Sequence, residues 1–256
     1  MTAELTRVTD RASFVLADNP GIMTLDGTNT WILREPGASR SVVVDPGPAD
    51  ETHLRAVVAA AGEVALVLFT HRHHDHTDAL DLIVEMTGAP ARSTDPEFTR
   101  GAEPLVEGET IDVDGLLVDV LATPGHTTDS TCFVLGAEGS LLSGDTILGR
   151  GTTVIAHPDG VLGPYLDSLA HVREMIEEGL VQRILPGHGP VVDDPGAVVD
   201  FYLEHRAERL DQVRAAVDAG ATSPHDVVRR VYRDVDESLW GAAELSVAAQ
   251  LDYLRS

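Results

Sequence analysis

The stretch THRHHDHTD, residues 70–78, concentrates side chains that can hold a metal ion. It places four of the chain's 11 histidines, together with two aspartates, within nine consecutive positions. Imidazole and carboxylate donors without a thiolate suit zinc best, with iron and manganese as alternatives. The segment therefore predicts a metal site, and hydrolysis by a metal-activated water is the chemistry expected of it.

Three other stretches share the form of this one: an apolar strand, a tight turn of small residues, and then a His or Asp. They are LLVDVLATPGH, SLLSGD and RILPGHG, which bring His126, Asp145 and His188 just past a strand. If the four strands lie side by side and parallel, their ends share one edge of a sheet and the donors meet there. We therefore expect one site built from four distant segments.

Spacing within the first stretch divides the donors between two ions. His71 and His73 are two residues apart, so in an extended segment they point the same way. Asp75 and His76 fall where the chain turns into a predicted helix, and they face a second ion. Thr70 is the candidate for orienting an imidazole. The expected ligands are His71, His73 and His126 for the first ion, Asp75, His76 and His188 for the second, and Asp145 as the bridge.

Hydrophobic periodicity predicts an α/β (α+β) architecture for the first part of the chain. Many strands with few helices favour two sheets covered by helices. The strands are predicted at 13–17, 30–34, 41–45, 65–70, 116–122, 131–136, 140–144 and 183–187, and the helices at 50–61, 77–88 and 165–178.

A continuous helical pattern begins after VVDDPG, residues 191–196. Gly220 predicts a helix end, Ser223 with Pro224 predicts the next helix start, and a last helix is predicted at 236–254. We therefore expect a hydrolase domain over residues 1–194 and a small helical domain over 195–256.

Composition restricts the partners of the chain. Its 256 residues have a net charge of −24, and all 18 basic residues are arginine, which disfavours a broad surface for nucleic acid. No apolar run reaches the roughly 18 residues of a membrane span, so no membrane partner is expected. The start, MTAELTRVTDRASF, has no targeting pattern and Cys132 is the single cysteine, which together predict a cytoplasmic protein.

The motifs THRHHDH, TPGHT, SGD and PGHG resemble, in order and spacing, those of the metallo-β-lactamase-fold hydrolases. The resemblance implies a four-layer αββα sandwich with a two-zinc site at one edge, and it assigns the seven donors the roles given above. NPGIMTLDGTNTWIL, VDPGP, SGDTILGRGTTVI and LPGHGPVV resemble the β-lactamase-like protein 2 group. That group implies an endoribonuclease activity on single-stranded RNA and a winged-helix-like C-terminal domain.

The expected mechanism is hydrolysis by a hydroxide that bridges two metal ions, with Asp75 and Asp145 as catalytic carboxylates that accept a proton. Loops rich in glycine and hydroxyl groups are expected to border the site, with turn capping as the alternative role for their residues. The expected substrate-binding residues are Asn29, Thr152, Thr153 and Tyr165.

Three functions stay open from the sequence. The group resemblance favours phosphodiester cleavage of short single-stranded RNA. The acidity and the missing lysines favour hydrolysis of a small ester or thioester, as in glyoxalase II or acyl-carrier thioesterases. A metal-sensing binding protein is the non-enzymatic alternative. The C-terminal helices are also candidates for covering the site or forming a homodimer.

Overall fold

The computed structural model describes residues 4–233 and 236–255 and contains two mixed β-sheets. The first sheet has the order β1-β2-β3-β4-β5-β6, with β4, β5 and β6 parallel. The second has the order β11-β10-β9-β8-β7, in which only β10 and β11 pair in parallel. The strands are β1 Leu5–Arg7, β2 Ala12–Leu16, β3 Asn29–Leu33, β4 Arg40–Val44, β5 Glu63–Leu68, β6 Ala91–Arg92, β7 Thr110–Val113, β8 Leu116–Ala122, β9 Thr131–Leu135, β10 Ser140–Gly144 and β11 Arg183–Pro186.

Helices cover the outer face of each sheet. The α-helices are α1 Glu51–Ala61, α2 His74–Thr77, α3 Leu80–Thr87, α4 Leu162–Glu177, α5 Pro195–Asp218, α6 Pro224–Val231 and α7 Trp240–Tyr253, and short 3-10 helices span Pro96–Phe98 and Glu237–Leu239. None of the helices within the described ranges is long and apolar enough to span a membrane.

The core is built in layers, as strand alternation requires. Trp31 and Leu33 of β3 face Val118 and Phe133 of the second sheet in a buried cluster between the sheets. Alternate residues face outward, so that Val43 packs under α1 and α3. On the opposite side, α4 packs in the same way on the second sheet. This arrangement confirms the predicted αββα sandwich.

Two pairs of parallel strands, one in each sheet, bring polar residues to one edge. Asp45 and Thr70 follow the parallel strands β4 and β5, and Asp145 and His188 follow the parallel strands β10 and β11. The expectation of four adjacent parallel strands is wrong, because β5 lies in the other sheet and β9 separates β8 from β10. The sheets meet at this edge, where Thr131 N donates to the Thr70 carbonyl at 2.8 Å.

The long helix α5 belongs to two hydrophobic clusters. Val199 and Tyr202 in its first half pack with α4, whereas Val213 in its second half packs with α6 and α7. Ser223 caps α6 in a reciprocal pair with Asp226, as its position before Pro224 predicts. The division of the chain at residue 194/195 stays a prediction. The last helix, predicted at 236–254, begins at Trp240, because the preceding residues Glu237–Leu239 form a 3-10 turn.

Candidate metal centre

The seven predicted donors lie together at the edge where the two sheets meet. Their ligand atoms form two groups, each within 4.8 Å: His71, His73 and His126 with Asp145, and Asp75 with His76 and His188. We call His71, His73 and His126 the first donor set, and Asp75, His76 and His188 the second donor set. His74 points away, with its side chain 92% exposed and its Nδ1 3.0 Å from Asp78 Oδ1.

The imidazoles of the first donor set present lone pairs to a common point. His71 Nδ1 donates to Thr70 Oγ1 at 3.0 Å, since that hydroxyl gives its own proton to Asp45, and His126 Nδ1 donates to the Val154 carbonyl at 2.9 Å. The opposite Nε2 atoms therefore carry lone pairs. They lie 3.0 Å and 3.1 Å from His73 Nδ1, which can donate to at most one of them.

The second donor set is arranged on the same principle. His76 Nδ1 donates to Asp45 Oδ2 at 2.9 Å, and His188 Nδ1 donates to the Gly27 carbonyl at 3.0 Å. Their two Nε2 atoms face each other at 3.2 Å, and His188 Nε2 lies 3.0 Å from Asp75 Oδ2. Facing lone pairs and carboxylate oxygens repel one another unless a cation or proton lies between them.

Asp145 lies between the two sets. Its Oδ1 is 3.5 Å from both His76 Nε2 and His188 Nε2, and its Oδ2 is 3.8 Å from His126 Nε2. Oδ1 is buried and has no hydrogen-bond donor in the described structure. A buried carboxylate oxygen without a donor is costly, and a divalent cation would satisfy it. The donors therefore fit a metal ion that bridges or adjoins the two sets.

The protonation states of the first donor set and of the two aspartates also suit metal binding. Burial lowers the pKa of all three histidines of the first donor set, that of His126 to about 4, so they are neutral at physiological pH. Burial opposes ionisation of Asp75, but His76 and His188 outweigh it and hold its pKa at about 2. In the same way His188 and His76 keep the pKa of Asp145 well below its ordinary value. Neutral imidazoles and ionised carboxylates are the metal-binding forms.

Sequence analysis missed Asp45, which orients this centre from behind. The residue is 1% exposed and accepts from Thr70 N at 2.8 Å, Thr70 Oγ1 at 2.7 Å and His76 Nδ1 at 2.9 Å. Its backbone is left-handed, with φ of 51°, a conformation that a non-glycine residue adopts only where its surroundings enforce it. The signal was present in SVVVDPG, an apolar strand followed by an acid, as in SLLSGD.

Replacing Asp45 by Asn is expected to weaken metal affinity and hydrolysis on the order of tenfold, because an amide has one acceptor oxygen and cannot accept all three hydrogen bonds from Thr70 N, Thr70 Oγ1 and His76 Nδ1. Metal titration against a competing chelator measures the loss. Asp114→Asn is the matched control, because Asp114 also has a left-handed backbone but pairs with Arg40 at the surface. Equal affinity in Asp45→Asn and the control would exclude an orienting role for Asp45.

The predicted substrate-binding residues differ in whether their side chains line the cleft or bond to the protein backbone. Thr152 is half-buried and lines the cleft beside His126 and Asp145. Asn29 is buried and donates to the carbonyls of Pro186 and Gly189 at 3.0 Å and 2.9 Å, so it braces the turn that carries His188. Thr153 Oγ1 donates to the Asp145 carbonyl at 2.7 Å.

Tyr165 is the clear correction among these residues. Its ring is fully buried and its hydroxyl donates to the Thr146 carbonyl at 2.8 Å, which leaves no surface for a substrate to touch. Tyr165 belongs instead to a group that braces the loop after Asp145. In that group Tyr202 Oη accepts from Leu148 N at 2.9 Å, and Arg206 donates to the Thr153 carbonyl with its guanidinium 5.2 Å from the Tyr165 ring centroid.

Residues 23–188 match the Metallo-beta-lactamase superfamily, which is more than half of the chain, and residues 223–256 match the Beta-lactamase associated winged helix domain. The chain belongs to the metallo-beta-lactamase superfamily. The Beta-lactamase-like protein 2 homolog of Drosophila melanogaster is 34% identical over 98% of this chain and 89% of its own length. The metallo-beta-lactamase sandwich thus carries a C-terminal winged-helix domain, as the resemblance implied.

One further relative and one solved structure extend the comparison. The Atrochrysone carboxyl ACP thioesterase of Aspergillus chevalieri is 33% identical over 92% of this chain and 78% of its own length. A metallo-beta-lactamase family protein from Thermus thermophilus shares the fold, with a TM-score of 0.80 and 21% identity over 96% of this chain and 94% of that chain. Family membership and the donor cluster identify a metal-dependent hydrolase.

Proposed function

We propose that the protein is a binuclear zinc hydrolase that acts on thioesters. The first donor set and the second donor set would each hold one ion, with Asp145 between them, since the ligand atoms of each set lie close together and Asp145 Oδ1 has no hydrogen-bond donor in the described structure. Imidazole and carboxylate donors without a thiolate suit zinc, iron or manganese, and zinc fits best. When bound, such ions polarise a carbonyl oxygen and lower the pKa of water toward neutrality.

The side chains supply the remaining parts of the reaction. Asp75 and Asp145 are ionised at neutral pH and are placed to accept the proton of the attacking water. The water oxygen forms a bond to the thioester carbonyl carbon, the carbon–sulfur bond breaks, and the thiolate takes up a proton. The imidazoles of His76 and His188 each donate a hydrogen bond to a buried partner, Asp45 and the Gly27 carbonyl. These hydrogen bonds hold the rings in a fixed orientation during the reaction.

The pairing of the arginines near the cleft is the observation that favours a thioester over RNA. Arg150 is paired with Asp26, and Arg72 is paired with Asp159 with two further carboxylates within 4 Å. Arg206 is buried against a backbone carbonyl. These side chains form no free basic track along the cleft, and the net charge of −24 repels a phosphate backbone. The relative named as an ACP thioesterase supports the same substrate class.

The test compares three substrates with zinc-loaded protein: acetyl-N-acetylcysteamine, bis-p-nitrophenyl phosphate and single-stranded RNA. We expect turnover of the thioester that chelation abolishes and zinc restores. RNA cleavage without thioester turnover would establish the nuclease alternative instead. Tight zinc binding with no turnover of any substrate would favour the metal sensor.

Acidification is expected to release the two ions in order. Burial favours the neutral form of His76, but the surrounding carboxylates outweigh it and raise its pKa well above the ordinary value, and they also raise the pKa of His188. Burial lowers the pKa values of the first donor set. Because a raised pKa lets protons compete with a cation at higher pH, the second donor set should lose its ion first as the pH falls.

Zinc content after dialysis at stepwise lower pH measures this order. His188→Ala should remove the step at higher pH and leave the step at lower pH. Loss of both ions in a single step, or removal of the lower step by His188→Ala, would contradict the assignment.

A further inference from the structure

A second cavity, of about 280 Å³, adjoins the metal cleft and is walled on its far side by the C-terminal helices. The metal cleft itself is a cavity of about 230 Å³ that reaches His126 and Asp145. Both cavities are lined by Ile22, Met23 and residues 152–154. A ligand with its reactive atom at the metal centre can therefore extend into the second cavity, which we call the side groove.

The walls of the side groove are mainly apolar. Ile22 and Met23 are 68% and 53% exposed at its mouth, an unusual exposure for large aliphatic side chains. Val154 lies on the wall of the hydrolase sandwich, and Leu239 and Ala242 line the wall formed by the C-terminal helices. Exposed apolar residues that face one another across a cleft are typical of a binding site.

Two of the residues that line the side groove, Arg209 and Tyr232, are in contact with each other. The Arg209 guanidinium covers the Tyr232 ring at 4.6 Å from its centroid and also donates to Gln212 Oε1 at 2.8 Å. One face of that ring is therefore unavailable for stacking a base. This favours a hydrocarbon over a single-stranded nucleic acid as the occupant.

The side groove has room for more than a small acyl group. Its volume is about 280 Å³, larger than that of the metal cleft, and it is open to solvent, so an acyl chain of several carbons can lie along it. The amide groups of a carrier thiol would lose hydrogen bonds to water against the mainly apolar walls of the side groove. The thiol is therefore better placed toward solvent.

We propose that the side groove binds the apolar acyl group of the thioester substrate and favours longer apolar chains over an acetyl group. The proposal rests on the thioesterase function given above. The carbonyl would lie at the metal centre, the acyl chain would cross residues 152–154 into the side groove, and the leaving thiol would remain outside. The winged-helix domain thereby takes part in substrate selection.

The experiment measures kcat/KM for acetyl, butyryl, hexanoyl, octanoyl and tetradecanoyl thioesters of N-acetylcysteamine with the zinc-loaded protein. Each buried methylene is worth up to about fourfold, so we expect at least a tenfold rise from acetyl to octanoyl. Ala242→Phe, which narrows the side groove, should lower the octanoyl-to-acetyl ratio at least tenfold. Met23→Ser, which removes an apolar wall without adding bulk, should lower the same ratio about fivefold.

Ala207→Phe is the matched control, since it makes the same change at an exposed position of α5 and should leave the ratio unaltered. A second readout is the affinity of zinc-loaded protein for octanamide, a non-hydrolysable analogue, which Ala242→Phe should weaken. Equal kcat/KM at every chain length would overturn the side-groove proposal and leave the thioesterase intact. Octanamide binding that depends on Ala242, without hydrolysis of any thioester, would overturn the thioesterase and retain the acyl site.

Discussion

Replacing Asp145 by Asn is expected to lower thioester kcat/KM by at least roughly a thousandfold and to reduce the zinc content of the purified protein. The carboxylate lies between the two donor sets, with Oδ1 3.5 Å from two imidazole nitrogens and no hydrogen-bond donor in the described structure. Asn keeps the shape but removes the negative charge that a cation needs there. A bound ion would lower the pKa of water to about 7, and without the ion that pKa stays far higher, which accounts for the size of the effect.

Asp193→Asn provides the control, because this aspartate is 74% exposed and pairs with Arg183 at the surface. Zinc content by elemental analysis, kcat/KM and the thermal midpoint of metal-free protein should all be measured. The midpoint of metal-free Asp145→Asn should fall, because His188 and His76 hold the pKa of this carboxyl group well below its ordinary value, so the ionised carboxylate stabilises the folded protein at neutral pH. Full activity at full zinc content in Asp145→Asn would exclude the bridging role.

Replacing Gly187 by Ala is expected to weaken zinc binding and to lower kcat/KM by about a hundredfold. A methyl group on Gly187 would lie 2.8 Å from Asp145 Oδ1 and 2.8 Å from His76 Cε1, closer than side chains tolerate. The backbone cannot retreat easily, because Gly187 N donates to the Gly144 carbonyl at 2.9 Å and the Gly187 carbonyl accepts from Asn29 N at 2.8 Å. Displacing the donors by a fraction of an ångström to about 1 Å accounts for the loss.

Gly241→Ala is the matched control, since a methyl group there meets nothing within 4 Å and the position lies in α7. It should stabilise the protein by up to about 1 kcal/mol, whereas Gly187→Ala should destabilise it by about 1–3 kcal/mol. Competition with a chelator gives the zinc affinity and thermal melts give the stability. Zinc affinity equal to that of the unsubstituted protein would show that the Gly187 turn can yield without moving the donors.

The donors were predictable because each of the four segments that carry them follows an apolar strand, so their position depends on local pattern. His71, Asp145 and His188 could be assigned in this way before their strands were placed in sheets. The sheet to which a strand belongs depends on pairing across the whole chain, and for this reason the assumption of four adjacent strands was wrong. Strands β1 and β6 have three and two residues, too few for an alternation pattern, and were not predicted.

Residues whose role depends on distant partners could not be assigned from the sequence. Tyr165 lies in a segment that resembles a substrate-binding region, but its burial follows from the packing of α4 and α5 on β10. Arg206 has the spacing of an exposed helical arginine and is nevertheless 6% exposed, because the Thr153 carbonyl and two tyrosine rings surround it. The predicted helix at 77–88 is divided into α2 and α3, since His73–Thr77 forms its own tight turn beneath the metal centre.

The membership of α5 in two hydrophobic clusters has a consequence for cooperativity. Unfolding of the winged-helix domain would expose half of the apolar face of α5. The same helix holds Arg206 against the loop that follows Asp145. The two domains therefore share one helix, and we expect them to unfold together in a single transition. A ligand that stabilises either domain against unfolding would therefore also stabilise the other through α5.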